Sequence, residues 1–228
     1  VAAEALRLLD IRLHEGVHPR LGVVDVVPFV SLGALDDNPI GEAPALPGVT
    51  DDFAGEVLTA RDSFARWFAG EGVPCFFYGP ERSLPEVRRH AFGDLPPDLG
   101  PPTPHLSAGA CCVGARPILI AYNLVLAAGA TLADGKGIAA ELRRKELRTL
   151  GLATGDEVQV SCNLVAPDVV GPAEAYDAVA ARAAVARAEL VGLLPRRVLH
   201  RIDRDRWTQL DLDGSKTIES RLARQQAR

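Results

Sequence analysis

Apolar residues recur at helical spacing where the chain opens. Ala5, Leu6, Leu8 and Leu9 mark residues 2–10 as the end of an amphipathic helix. The β-branched run GVVDVVPFVSL at 22–32 predicts a strand, with Pro28 at an edge or in its last part. Residues 33–50 carry several glycines and prolines and read as a loop. DDFAGEVLTARDSFARWFAGEG then predicts a helix capped by Thr50 or Asp51 and ended by Gly70 or Gly72. VPCFFYG is a short strand, and SLPEVRRHAF a short helix with proline in its first turn.

From Gly93 to Gly109 the pattern gives way to a proline-rich stretch, GDLPPDLGPPTPHLSAG, which reads as a semi-rigid interdomain linker. Beyond it the pattern predicts a strand at 116–127, a helix at about 134–147 and a strand at 157–165. A helix at about 172–183, the strand RAELVGLLP, a short helix through RRVLHRI and a polar C-terminal helix or frayed end follow. Strands alternating with helices place the chain in the α/β class, with α+β-type layers in two halves. The expected division is 1–97 for the first half, 98–110 for the connecting segment and 111–228 for the second.

Composition adds little to that architecture but excludes some partners. A net charge of −5 gives no reason to expect nucleic acid or an anionic membrane, and no apolar run reaches the length of a membrane span. Cys75, Cys111, Cys112 and Cys162 form no C-x-x-C pair. Each lies in or beside an apolar segment, as buried thiols of a reducing compartment do, which points to the cytoplasm.

The chemistry concentrates in LHEGVHPRLG, residues 13–22. His14, Glu15 and His18 spell H-E-x-x-H, the pattern of a zinc hydrolase, which requires both histidines on one face of a helix. Gly16 interrupts such a helix, and Pro19 pushes His18 out of the helical region. The positions for a third ligand hold Leu21 and Val24. No metal site is expected.

Shifted by two residues, the same stretch reads differently. GVHPRLGVVDVVPFV resembles the formiminotransferase motif G-E-H-P-R-x-G-x-x-D-V-x-P-F. The resemblance continues in order through VPCFFYG, LPEVRRHAFGDL, PDLGP, SAGACCVGARPILIAYNLVL, VQVSCNL and AELVGLLP, covering roughly residues 1 to 200. It implies two formiminotransferase-like subdomains, each a mixed sheet packed with helices, and a homodimer. The activity implied is transfer of the formimino group of N-formimino-L-glutamate to N5 of tetrahydrofolate, a co-substrate, in histidine breakdown. The family's catalytic histidine maps to His18. Its folate-binding segment maps to about Asp98 through Ser107, with Asp98, Gly100, Pro101 and Ser107 matching in identity and His105 at a more variable position.

The residue types suit this reaction. Amine attack on an amidine carbon takes a proton from N5 and returns one to the leaving glutamate nitrogen, and a histidine performs both tasks near neutral pH. Arg20 or Arg116 can fork a carboxylate of the glutamyl substrate or the folate tail. Asn123 is a ligand candidate or a satisfied amide in a core strand. Ser161 and Asn163 share a strand face that lines a cleft or forms plain sheet surface. Asp25 orients a partner or closes a turn, and His14 reads as solvated.

Two departures stand out. Val17 occupies the position of the family's glutamate, and the family's opening strand, C-V-P-N-F-S-E-G, is not present, so the first subdomain is expected to be truncated. The alternative to a transferase is a catalytically impaired folate-binding or assembly protein of the same family.

Overall fold

The computed structural model describes residues 1–32 and 55–226. The loop expected at 33–50 and the helix cap at Thr50 or Asp51 lie outside the described residues. Two compact units account for the rest, residues 1–32 with 55–117 and residues 118–226.

The first unit is built on a parallel sheet. Its strands are β1 (Val26–Phe29), β2 (Cys75–Tyr78) and β3 (Cys111–Ala115), in the order β1-β3-β2. β1 takes the edge position that Pro28 demands, since proline lacks an N–H for a second ladder. β3 lies between its neighbours and is buried at every position, as the central strand of a doubly covered sheet should be. Helices α1 (Ala2–Leu8) and α2 (Gly55–Gly70) cover one face, packing Leu6, Ala65 and Phe68 against Cys75, Cys111 and Val113. Helix α3 (Leu84–His90) covers the other through Leu84 and Val87, against Phe76, Tyr78 and Cys112. The adjacent thiols of Cys111 and Cys112 therefore belong to opposite faces of one strand. All four cysteines are free and buried.

α3 starts where the sequence places it. Ser83 accepts the Glu86 N–H and Glu86 accepts the Ser83 N–H (2.7 Å), a reciprocal cap, with Pro85 in the first turn.

The second unit is an antiparallel sheet with helices on one face. β4 (Ile120–Leu126), β5 (Leu147–Thr154), β6 (Glu157–Leu164) and β7 (Val185–Val191) run in the order β5-β6-β4-β7. Ile120, Tyr122 and Leu124 of β4, with Val160 and Cys162 of β6, point into a core closed by α4 (Leu132–Leu142), α5 (Pro172–Ala180) and α6 (Arg196–His200). Alternation sends Asn123, Ser161 and Asn163 to the other face. A final helix, α7, spans Ile218–Gln226. The chain is thus α/β, with a parallel sheet in one unit and an antiparallel sheet in the other.

Three expectations need correction. The proline-rich segment 98–110 does not connect the two units: Leu99 bridges Cys75, Gly109 bridges Gly22, and β3 belongs to the first sheet. The division falls instead at Pro117 and Ile118. The strand expected at 116–127 is β4, which is shorter at Ile120–Leu126, and β3, Cys111–Ala115, is a separate strand of the first sheet that the pattern does not predict. The helix expected to reach 147 ends at Leu142, and β5 begins at Leu147.

Candidate active site

The His-Pro-Arg stretch is an irregular loop. A short 3₁₀ turn, Ile11–Leu13, capped by the Asp10 side chain, leads into it, and residues 14–20 form neither helix nor strand. His14 and His18 are both exposed and share no helix face. Among the described residues, no group of three or more His, Cys, Asp or Glu side chains is placed to hold a metal ion.

Both ends of this loop are stitched to one segment. Ile11 N–H donates to the Ser107 carbonyl (2.8 Å) before the loop. After it, Ala110 N–H donates to Leu21 O (2.9 Å) and Val23 N–H to Ala108 O (3.0 Å). Glycine permits this approach. A Cβ on Gly22 would lie 2.2 Å from the Ala110 carbonyl oxygen, and one on Gly109, at φ +73°, would lie 2.1 Å from the Leu21 oxygen. The two stretches singled out in the sequence, H-P-R and the end of 98–107, are therefore neighbours in one unit.

Within the loop, polar groups turn inward on its own backbone. Arg20 donates from Nη2 to the His14 carbonyl, so part of its fork is already used. Arg88, from the last turn of α3, donates from Nη1 to the Pro19 carbonyl and pairs through Nη2 with Asp25 Oδ2. Asp25 Oδ1 in turn accepts the Leu21 N–H (2.7 Å). Asp25 thus closes a turn and holds a partner at once. Nothing in the sequence linked Arg88 to Pro19, sixty-nine positions away, and its only signal was its place in LPEVR. The imidazole of His18 lies outside this mesh, and Val17 beside it is exposed.

The remaining candidates divide between two places. Asp98 and Gly100 lie at the β2 edge, away from β1. Asp98 N–H donates to Cys75 O (2.9 Å), and its carboxylate accepts the Phe77 N–H (2.7 Å) and both arms of Arg82. Gly100 takes a left-handed φ of +92°. Half-buried Pro101 begins the crossing toward β1. His105 accepts the Ala108 N–H at Nδ1 (3.1 Å) and exchanges backbone bonds with Gly109. Arg116 donates to the Pro117 carbonyl (2.9 Å) and stands beside Tyr78, whose hydroxyl pKa is raised by burial against the opposing pull of that guanidinium.

Asn123 belongs to the second unit. Its amide donates to Glu189 Oε2 across β4 and β7 (3.0 Å), on the sheet face away from the helices, in register with Ser161. This is neither a core amide nor a lone one, and Glu189 is a neighbour the sequence did not single out.

A parallel sheet bearing a histidine loop, followed in the chain by an antiparallel sheet with one polar face, defines an α/β protein of two layered subdomains. Residues 1–116 match the formiminotransferase domain, N-terminal subdomain. Over 224 residues the chain is 32% identical to the glutamate formimidoyltransferase of Thermoplasma acidophilum, covering 86% of this chain and 68% of that protein. It is 30% identical over 230 residues to the formimidoyltransferase-cyclodeaminase of Sus scrofa, covering 87% of this chain. A similar match of 30% extends to the Gallus gallus protein of that name, and the chain spans 39% of the length of each of these two. The chain belongs to the formiminotransferase family.

Proposed function

We propose that this chain transfers a formimino group from N-formimino-L-glutamate to N5 of tetrahydrofolate. The observation that carries this reading is the placement of His18: an exposed imidazole on a loop whose two ends are bonded to residues 107–110, next to the segment that the resemblance assigns to folate.

The chemistry follows from those parts. N5 attacks the formimino carbon, a C–N bond forms, and His18 takes the N5 proton. The tetrahedral intermediate collapses when the same imidazole protonates the glutamate nitrogen, breaking the old C–N bond and releasing glutamate. Each proton taken is returned, so no oxidant or metal enters the balance. Pro19 restricts the His18 backbone to extended geometry, which limits the directions its ring can take. Segment Asp98–Ser107 receives the folate, and Arg20 or Arg116 a carboxylate. The protein works as a homodimer in the cytoplasm, a reading supported by the resemblance and by four buried free thiols. Among the described residues no helix is long and apolar enough to cross a membrane.

The test is direct. The chain, given formiminoglutamate and tetrahydrofolate, forms a 5-formimino product, and His18→Ala abolishes turnover while leaving folinic acid binding intact. One observation favours a second reading: an exposed Val17 where the family carries glutamate. Folinic acid binding by wild type without turnover would establish that reading, a folate-binding protein.

A further inference from the structure

Besides its backbone bonds to residues 107–110, the His-Pro-Arg loop is held by a side chain from α3. We propose that Arg88, held by Asp25, is a positioning residue that fixes the aim of His18; this rests on the formiminotransferase reading of the same site.

The geometry sets two consecutive peptide groups. Arg88 Nη1 takes the carbonyl of the Pro19–Arg20 peptide, and Asp25 Oδ1 takes the N–H of the next one, at Leu21 (2.7 Å). The Arg88–Asp25 ion pair joins the two restraints into one clamp. Upstream of the clamped peptide, the pyrrolidine ring fixes φ of Pro19, and the residue before a proline is confined to extended conformations. Few soft torsions are left between the clamp and the His18 Cα. Restraint at Pro19 is therefore passed to the histidine, although Arg88 does not touch it.

The anchor itself is firm. Arg88 follows Val87, which is fully buried against the sheet, and α3 begins in a reciprocal cap. Side-chain exposures of 27% for Arg88 and 24% for Asp25 shield the pair from much of the solvent that weakens surface ion pairs. A planar two-armed guanidinium is suited to spanning a carbonyl and a carboxylate together, and an ammonium is less so. The loop's other internal bond, Arg20 to the His14 carbonyl, closes residues 14–20 on themselves but ties them to no core element.

The experiment compares wild type, Arg88→Gln, Arg88→Lys and Asp25→Asn by steady-state kinetics and amide hydrogen exchange. Arg88→Gln is expected to lower kcat by roughly 10- to 100-fold with KM for tetrahydrofolate changed by no more than about twofold, the cost of misaiming a proton-transfer group. Amides at residues 17–21 should exchange at least about tenfold faster while those of β1 and β3 keep their protection. Arg88→Lys restores part of kcat, and carries the test if the glutamine variant does not fold. Unchanged kcat, unchanged exchange at 17–21, or a raised KM at full kcat would each overturn the proposal, the last by making Arg88 a substrate ligand. Wild-type turnover is measured first: its absence overturns the formiminotransferase reading, and the exchange data alone then decide whether Arg88 holds the loop.

Discussion

Arg82 spans the carboxylate of Asp98 with both arms of its guanidinium, Nη1 to Oδ2 at 2.5 Å and Nη2 to Oδ1 at 3.0 Å. Asp98 Oδ2 also accepts the Phe77 N–H at 2.7 Å, so one side chain ties the start of the proline-rich segment to β2 and to the turn after it. The pair is partly shielded, with side chains 24% and 20% exposed. Asp98→Ala leaves the Phe77 amide without its acceptor and takes from Arg82 both carboxylate bonds, leaving its bond to the Phe77 carbonyl (3.2 Å), and should lower stability by about 1–3 kcal/mol. Arg82→Ala leaves Asp98 the Phe77 bond and should cost less. Urea denaturation of each variant checks the order.

A methyl group at residue 22 tests the stitching of the histidine loop. Gly22→Ala sets its Cβ against backbone oxygens at 2.2 and 2.5 Å, from Ala110 and Ala108, neither of which can swing aside as a side chain would. The two segments must part, at a cost of about 1–3 kcal/mol. Melting temperature reads the cost, and turnover should fall with it because the loop loses its fixed base.

Tyr122 buries its hydroxyl in the second unit and donates it to the Leu210 carbonyl at 2.9 Å. Tyr122→Phe keeps the ring's packing and orphans that carbonyl. A loss of about 1–3 kcal/mol is expected, again by denaturation.

Alkaline pH tests the buried thiols. Burial holds the pKa of Cys75, Cys112 and Cys162 up at about 12 from an ordinary 9.0, and pushes Cys111 up as well. Between those values the native state keeps protons that the unfolded chain has released, so stability falls as pH rises. The contribution is whole below pH 9.0 and is lost on the way to about 12. Thiolate absorbance should therefore appear together with loss of helical circular dichroism, and alkylating reagents should leave the native protein unmodified at pH 8.

Much of this was legible in the sequence because local rules were obeyed. Ser83, Pro85 and Glu86 announce α3, and Pro28 announces an edge strand. β5 is not legible in the sequence because its alternation is carried by Leu147 and Thr149 inside and Arg148 and Leu150 outside, a mixture that looks like neither a clear strand nor a helix. The TGDE turn that closes it on β6 was the available signal, with Gly155 at φ +59°. The proline-rich segment misled for a different reason. Proline stiffens a chain whether it links domains or crosses a sheet end, and only bridges such as Leu99 to Cys75 tell the cases apart. At the site, the H-P-R motif was visible, but its support was not: Pro19, Asp25 and Arg88 meet only through tertiary structure.

The order β1-β3-β2 also bears on how the molecule comes into being. β1 and β2 each pair with β3, which is the last of the three to be made, so the first sheet cannot close until residue 115 has left the ribosome. Until then its two flanking strands wait as unpaired apolar segments, the state from which aggregation starts. Closing contacts of such wide sequence separation makes assembly of this unit slow by nature. A pause that comes before residue 115 has emerged would hold the histidine loop on an open sheet, and elongation past that point frees the strand on which the sheet closes.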